Sequence, residues 1–501
     1  MIRKLTLFFI VLIISPNIFG ISYYVAVNGD DSNNGTSVST PFATLSKALS
    51  LVKAGDVIYV GGGTYHFTSS LEISVSGNVN DSCRLMAYPG ERPRLDFSGT
   101  SLGTRGIKLK GDYWHLKGFD VCKAGDNGIH ISGGNNVIEF SRFFENGDSG
   151  LQLSNGAHHN AIINCDSYFN ADPTDYGDAD GFACKMDVGS HNRFYGCRSW
   201  LNVDDGWDGY LRGADDVTSS IENCWTWRNG YFKDGTDAGP SANGNGFKTG
   251  GSDDKTLKHN VTLKNCIAFD NKSKGFDQNN NRGSMILYHC TGYRNEGKNY
   301  SLSQELAEGK IMEVKNCVAV DGKVSIAAFA LQLTNSWMES FVVSVDDFVS
   351  LDTTGISQSR KPDGSLPDVD FLHLAEGSDL IDGGTNLGFP FLGAAPDPGA
   401  FESDQANSIY PAFQDDEEGY FRIRLGRNPV DDLLDIYFEI SVADEITWMI
   451  WDMQGRTLCT SRRHYPAGPG NVIVPTGDLP AGVYIFGMTA NRGVQYIRFV
   501  K

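Results

Sequence analysis

Positive charge is what this chain is short of. Its 501 residues carry 42 Lys and Arg against 61 Asp and Glu, a formal net charge of −19. That balance excludes a nucleic-acid binder, which needs a basic face to neutralise phosphates. Long hydrophobic runs are equally scarce. Leu5–Ile14, preceded by Arg3 and Lys4 and followed by Ser15-Pro16, is too short to span a membrane. It reads as the core of a secretory signal peptide over residues 1–20, cut near Gly20. The mature chain is therefore expected to lack a membrane span and to be secreted or held at the cell surface. Zinc-site spacing is absent among the ten cysteines.

What is present is a repeat. Segments ending at Asn146 (NVIEFSRFFEN), Asn170 (NAIINCDSYFN), Asn202 (NRFYGCRSWLN), Asn229, Asn271 and Asn295 are versions of one unit, with steps of 24, 32, 27, 42 and 24 residues. Apolar and polar residues alternate inside each unit. Self-similarity of this kind predicts a β-solenoid with one coil per repeat, which also suits a chain too long for one compact core. Cys165, Cys197, Cys224, Cys266, Cys290 and Cys317 share one column. An exported protein invites disulfides, but a strict column of small side chains favours free thiols packed in a narrow interior. The asparagine column is given a structural role, its stacked side chains bonding the turn and each other and tolerating left-handed corners.

The repeat sets a register. Each closing Asn is followed by Gly plus an apolar residue: Gly150-Leu151, Gly181-Phe182, Gly206-Trp207, Gly246-Phe247 and Gly275-Phe276. Two coils lengthen the intervening turn, by residues 171–180 and 230–245, and are expected to wall a cleft over the Asn202 coil. With the Gly as marker, Asp180 and Asp205 share one column, and Asp208 and Lys248 another. Columns of adjacent coils lie about 4.8 Å apart, so Asp180, Asp204, Asp205 and Asp208 converge beside Lys248. Aspartates also collect in ordinary turns. Four so close call for a cation, and a hard divalent ion with oxygen ligands, Ca²⁺, fits them best.

DGF at Asp180–Phe182, DDGWD at Asp204–Asp208 and GNGFK at Gly244–Lys248 resemble the signature of polysaccharide lyase family nine. The resemblance runs from about Ser22 to Glu402, taking in the opening YYVAVNGDD and DGSLP at 363–367. It implies a right-handed parallel β-helix that cleaves pectic polysaccharides, homogalacturonan or rhamnogalacturonan I, by β-elimination. In that family the aspartates hold a catalytic calcium and the lysine is the base, here Asp180, Asp204, Asp205 and Asp208, and Lys248. The acidic net charge sits badly with a polyanionic substrate, so Lys185 and Arg212 are further candidates for holding it, set against a plain reading as solvated surface charges. A pectin hydrolase using a pair of these carboxylates and a non-catalytic glycan-binding solenoid are the alternatives.

The ends carry other roles. Residues 21–402 are assigned to the catalytic β-helix, with 388–402 resembling a closing strand. Residues 403–418 read as an acidic linker. Residues 419–501 read as a small β-sandwich, with strands over 433–440, 446–451, 472–474, 483–488 and 495–500. The segments NPV, DMQGR, LPAGVY and the final RFVK resemble the C-terminal sorting domain of the type nine secretion system of Bacteroidota, which implies secretion machinery as a partner and export through the outer membrane. A carbohydrate-binding sandwich is the alternative for this domain.

Overall fold

The computed structural model describes residues 20–389 and 391–403 and, from 421 onward, the strands of a second unit with short flanks. The signal peptide and nearly all of the linker expected from the sequence lie outside the described residues. The chain divides into two compact units at residue 404.

Among the described residues the first unit is built from three parallel sheets. The first has twelve strands, from Ser22–Val25 to Leu331–Leu333. The second has ten, from Gly63–His66 to Val318–Val320, and the third has ten, from Leu71–Ile73 to Val324–Ile326. Each coil visits them in that order, as in Val137–Glu139, Arg142–Phe144 and Leu151–Leu153. Most strands are three or four residues long because a corner interrupts them. One corner is a left-handed residue just before the cysteine column: Asn164, Gly196, Asn223, Asn265, His289 and Asn316 all have positive φ. Asn tolerates that conformation better than most residues, which explains the recurring Asn-Cys pair.

At the other corner the left-handed residue is not the ladder asparagine, as expected, but the one before it: Glu145, Phe169, Leu201, Arg228, Asp270 and Arg294. The asparagines point inward and bond each other, as expected. Nδ2 of Asn146, Asn170, Asn202, Asn229 and Asn271 each donates to Oδ1 of the next, at 2.8–3.0 Å. Each buried backbone N–H at this corner donates to the same oxygen, as Asn170 N does to Asn202 Oδ1. A buried amide left unpaired would cost about 1–3 kcal/mol, so the ladder is self-supporting only as an unbroken column.

The six column cysteines are fully buried, and all ten are free thiols. Their Sγ atoms contact backbone carbonyls, as Cys197 does Ile162 O at 3.4 Å. Burial raises the thiols of Cys165, Cys224 and Cys290 well above the usual range, so they remain protonated and inert.

The outer face of the second sheet carries a stack of flat rings, Phe144, Tyr168, Trp200, Trp227 and Phe269, spaced 4.3–5.6 Å. Phe348, Ile356, Phe371 and Leu374 from the segment beyond the last coil share a buried apolar cluster with Trp200, Trp227 and Phe269. Arg360 of the same segment joins Arg198 on the buried Asp166 carboxylate, at 2.7 and 2.8 Å. Residues 388–402, expected to close the helix as a strand, form none where described; Gly399 N bonds Asn316 O at 2.8 Å.

The second unit is antiparallel. A three-stranded sheet, Phe421–Leu425, Leu433–Ile440 and Gly468–Pro475, and a four-stranded one, Thr457–Tyr465, Asp444–Asp452, Val483–Ala490 and Gly493–Val500, share one apolar core. The five expected strands are there, three of them as long central strands. Phe421–Leu425 and Thr457–Tyr465 were missed; the latter is charged and largely exposed, so alternation gave little signal.

Candidate active site

The site lies on the third sheet, where Phe182–Cys184, Trp207–Asp208, Phe247–Lys248 and Lys274–Asp277 run side by side. Phe182, Trp207, Phe247 and Phe276 pair in register. Their rings stack inside the coil at 4.8, 4.8 and 5.3 Å. Because strand side chains alternate, the next residues, Ala183, Asp208, Lys248 and Asp277, form the outward column, with Asp208 directly opposite Lys248.

The glycine before each strand has a packing reason. A Cβ on Gly150, Gly181 or Gly206 would stand 2.0 Å from the hydroxyl of Ser167, Ser199 or Thr226 and against the asparagine ladder. The residue before that glycine is thereby aimed at the site: Ser149, Asp180, Asp205 and Asn245 in successive coils. They are linked one to the next. Ser149 Oγ donates to Asp180 Oδ2 at 3.1 Å, Asp205 N to Asp180 Oδ1 at 3.2 Å, and Asn245 N and Nδ2 both to Asp205 Oδ1 at 2.8 Å.

Oxygens of Asp180, Asp204 and Asp205 lie within 4.8 Å of one another, all three residues buried. Asp208 faces the amines instead, 3.3 Å from Lys248 Nζ and 3.5 Å from Lys185 Nζ. Lys248 Nζ is also 2.9 Å from Asp205 Oδ2. That contact has the distance of an ion pair without hydrogen-bond geometry, so Asp205 Oδ2 accepts no hydrogen bond, and neither does the buried Asn245 Oδ1. Burial pushes Asp180 up to about 8 against the pull of Lys185, and pushes Asp204 and Asp205 up as well. Burial alone would lower the Lys248 amine, but Asp205 and Asp208 outweigh it and hold it protonated. Asp208 stays below the usual carboxylate range, because Lys248 and Lys185 overcome its burial. Converging buried carboxylates that resist ionising together, with Asp205 Oδ2 among them lacking a donor, make a set that a hard cation would satisfy.

Lys185 is not a solvated surface charge. It is buried, 2.8 Å from Asp180 Oδ2, and braces the cluster from one side. Arg212 is exposed and holds Asp253 through Nε at 2.8 Å and a terminal nitrogen at 3.1 Å. Both Arg212 and Lys248 lie over the Tyr210 ring, at 5.5 and 5.6 Å from its centroid. The two long turns do not stand apart as cleft walls. Tyr176 meets Phe232 edge-on at 5.0 Å, and Ala179, Val203, Ala238 and Ala242 form a small apolar cluster. They meet across the middle coil and bury the aspartates, with Asn243 N on Asp204 Oδ1 at 2.7 Å.

The family described as Pel9A-like, right handed beta helix region, matches residues 23–319. The chain belongs to that family. Pectate lyase L of Dickeya dadantii (strain 3937) is 38% identical over 394 residues, covering 76% of this chain and 90% of the relative. Pectate lyase L of Paenibacillus polymyxa (strain SC2) is 41% identical over 394 residues, covering 73% and 84%. Among solved structures, that of pectate lyase Pel9A has a TM-score of 0.71 at 37% identity, covering 76% of this chain and 96% of that one. A rhamnogalacturonan lyase has a TM-score of 0.64 at 29% identity, covering 71% and 97%. This Pel9A-like chain is a polysaccharide lyase, and its solenoid is right-handed.

Within the Pel9A-like coils, the glycine marker brought together Asp180, Asp205, Asp208 and Lys248. Asn245 and Ser149 were missed, although each precedes the marker glycine and so stands in the Asp180 column. Lys185 stands four residues past Gly181, on the same side of the strand as Asp208 two past Gly206. That parity was the available signal for its place in the site.

Proposed function

We propose that this chain is a calcium-dependent pectic lyase that cleaves galacturonate-containing polymers by β-elimination, with Lys248 as the base. The observation that carries the reading is the Lys248 side chain, a tenth exposed, with its amine set 2.9 Å and 3.3 Å from two carboxylates of the acidic cluster. Asp180, Asp204 and Asp205 would hold the ion, with Asp208 as the fourth carboxylate. Bound there, Ca²⁺ would supply Lewis-acid withdrawal from the uronate carboxylate and a positive charge that lowers the proton affinity of the lysine. Lys248 takes the proton from C5 of the galacturonate, the C4–O4 bond breaks, the departing O4 takes a proton from water, and a C4–C5 double bond remains. To do so the amine must first be neutral, which favours alkaline pH. Lys185, charge-paired with Asp180 and Asp208, keeps those carboxylates in place. Arg212, on the rim, takes a substrate carboxylate in the geometry it now gives Asp253. Such an exposed pair is worth little on its own and exchanges readily.

Polygalacturonate and rhamnogalacturonan incubated with the enzyme should yield unsaturated uronides with calcium and none with chelator. Saturated products formed in chelator would mean hydrolysis and sink the lyase reading. The second unit we assign to sorting for export by the type nine machinery, on the strength of its two antiparallel sheets and the motifs that border their strands. Deleting residues 419–501 should leave an active enzyme inside the cell envelope; normal export of the truncated protein would contradict the assignment.

A further inference from the structure

A second group of metal-ligating side chains lies away from the acidic cluster, on the turn from the third sheet back to the first. His158 and His159 come just before the strand Ala161–Ile163. His191 occupies the place of His159 in the next coil, where Ala161 pairs with Arg193. All three are exposed. Nδ1 of His158 and Nδ1 of His159 face each other at 3.3 Å, with the rings at 84° and their centroids 5.3 Å apart. The His191 ring stands 4.6 Å from that of His159. Its Nδ1 is engaged by Thr218 Oγ1 at 3.2 Å, which leaves Nε2 as its free nitrogen.

The arrangement is held by the coils beneath it. The His158 ring covers Gly134, where a Cβ would come within 2.2 Å of Cε1, and its own Cβ lies over Gly189 at a spacing that admits no side chain there. Two nitrogens bound to one tetrahedral ion at about 2.0–2.1 Å stand about 3.3 Å apart, the spacing of the two Nδ1 atoms. A hydrogen bond between them would need one ring to carry its proton on Nδ1, and water could serve either ring as well at this exposed position.

We propose that the paired imidazoles of His158 and His159 form a surface site for a divalent transition metal such as zinc or nickel. Imidazole nitrogen selects such borderline ions, whereas the all-oxygen cluster on the third sheet suits a hard ion. The two sites are therefore separable by chemistry. Zn²⁺ bound here would stabilise the folded chain by mass action.

The test uses the untagged full-length protein in excess Ca²⁺, so that the acidic cluster is taken, with Zn²⁺ or Ni²⁺ titrated calorimetrically. One ion per chain is expected. His158→Gln and His159→Gln should each weaken binding by about tenfold or more, and His191→Gln should change it little. His115→Gln, whose native ring pairs with Glu139 at 2.8 Å, should bind as the parent does. Melting curves establish that each variant is folded, which exposed histidines permit. Absence of binding by the parent, or parental affinity in both the His158 and His159 variants, would overturn the site.

Discussion

Lys248→Arg should lose about a thousandfold or more in kcat, within the range that a positioned general base contributes, while still binding pectic polymer in calcium. Arginine keeps the positive charge and reaches Asp205 and Asp208, so electrostatic attraction for the polyanion survives. Its guanidinium stays protonated at any workable pH and cannot accept the C5 proton. Lys248→Ala should lose as much, by removing the amine. If the lysine only attracted substrate, Arg would restore most of the activity and Ala would chiefly raise KM. Steady-state kinetics of both variants on polygalacturonate decide between the two, and a vigorous Lys248→Arg enzyme ends the proposed mechanism.

Asp205→Asn should remove calcium-dependent turnover and alter stability in opposite directions with and without the metal. Metal-free, the buried carboxylates repel each other, and burial holds Asp180 up to about 8 against the pull of Lys185. The folded chain then keeps protons that the unfolded chain has released above about pH 4. A carboxyl raised on folding gives stability that is complete below its unfolded value and is lost as pH rises through its folded one. The metal-free protein should therefore weaken between about pH 4 and pH 8, and Asp205→Asn, with one fewer buried charge, should weaken less. Calcium should stabilise the parent at pH 8 and leave the variant nearly unmoved. Denaturant midpoints in chelator and in calcium measure all four states. A variant that gains as much from calcium as the parent would remove Asp205 from the ion's ligands.

The site was legible wherever it obeyed the repeat. Gly181, Gly206 and Gly246 mark one position in three coils because Ser199, Thr226 and the asparagine ladder leave no room for a Cβ there, and the ladder crowds the same position from Gly128 to Gly275. Counting from that glycine therefore gives true spatial neighbours, and Asp208 opposite Lys248 could be read from letters alone. Lys185 lay within reach of the same count, yet its burial did not, because burial depends on what covers a strand and not on the strand. Arg212 and Asp253, 41 residues apart, pair across turns that follow no period.

The solenoid, the core columns of cysteine and asparagine, and the line of aspartates and lysine along the third sheet follow from the order of the residues alone. Each is a one-dimensional pattern that stacking converts directly into contact. How those charges balance depends on the packing of the folded chain. Residues 171–180 and 230–245 fold over the middle coil, exclude water from the carboxylates, and so turn Lys185 from a surface charge into a buried brace between Asp180 and Asp208. Loop packing of that kind depends on shape and burial between segments distant in the chain. No repeat announces it, and electrostatic strength follows from it, because a charge pair in a dry site interacts far more strongly than the same pair in water.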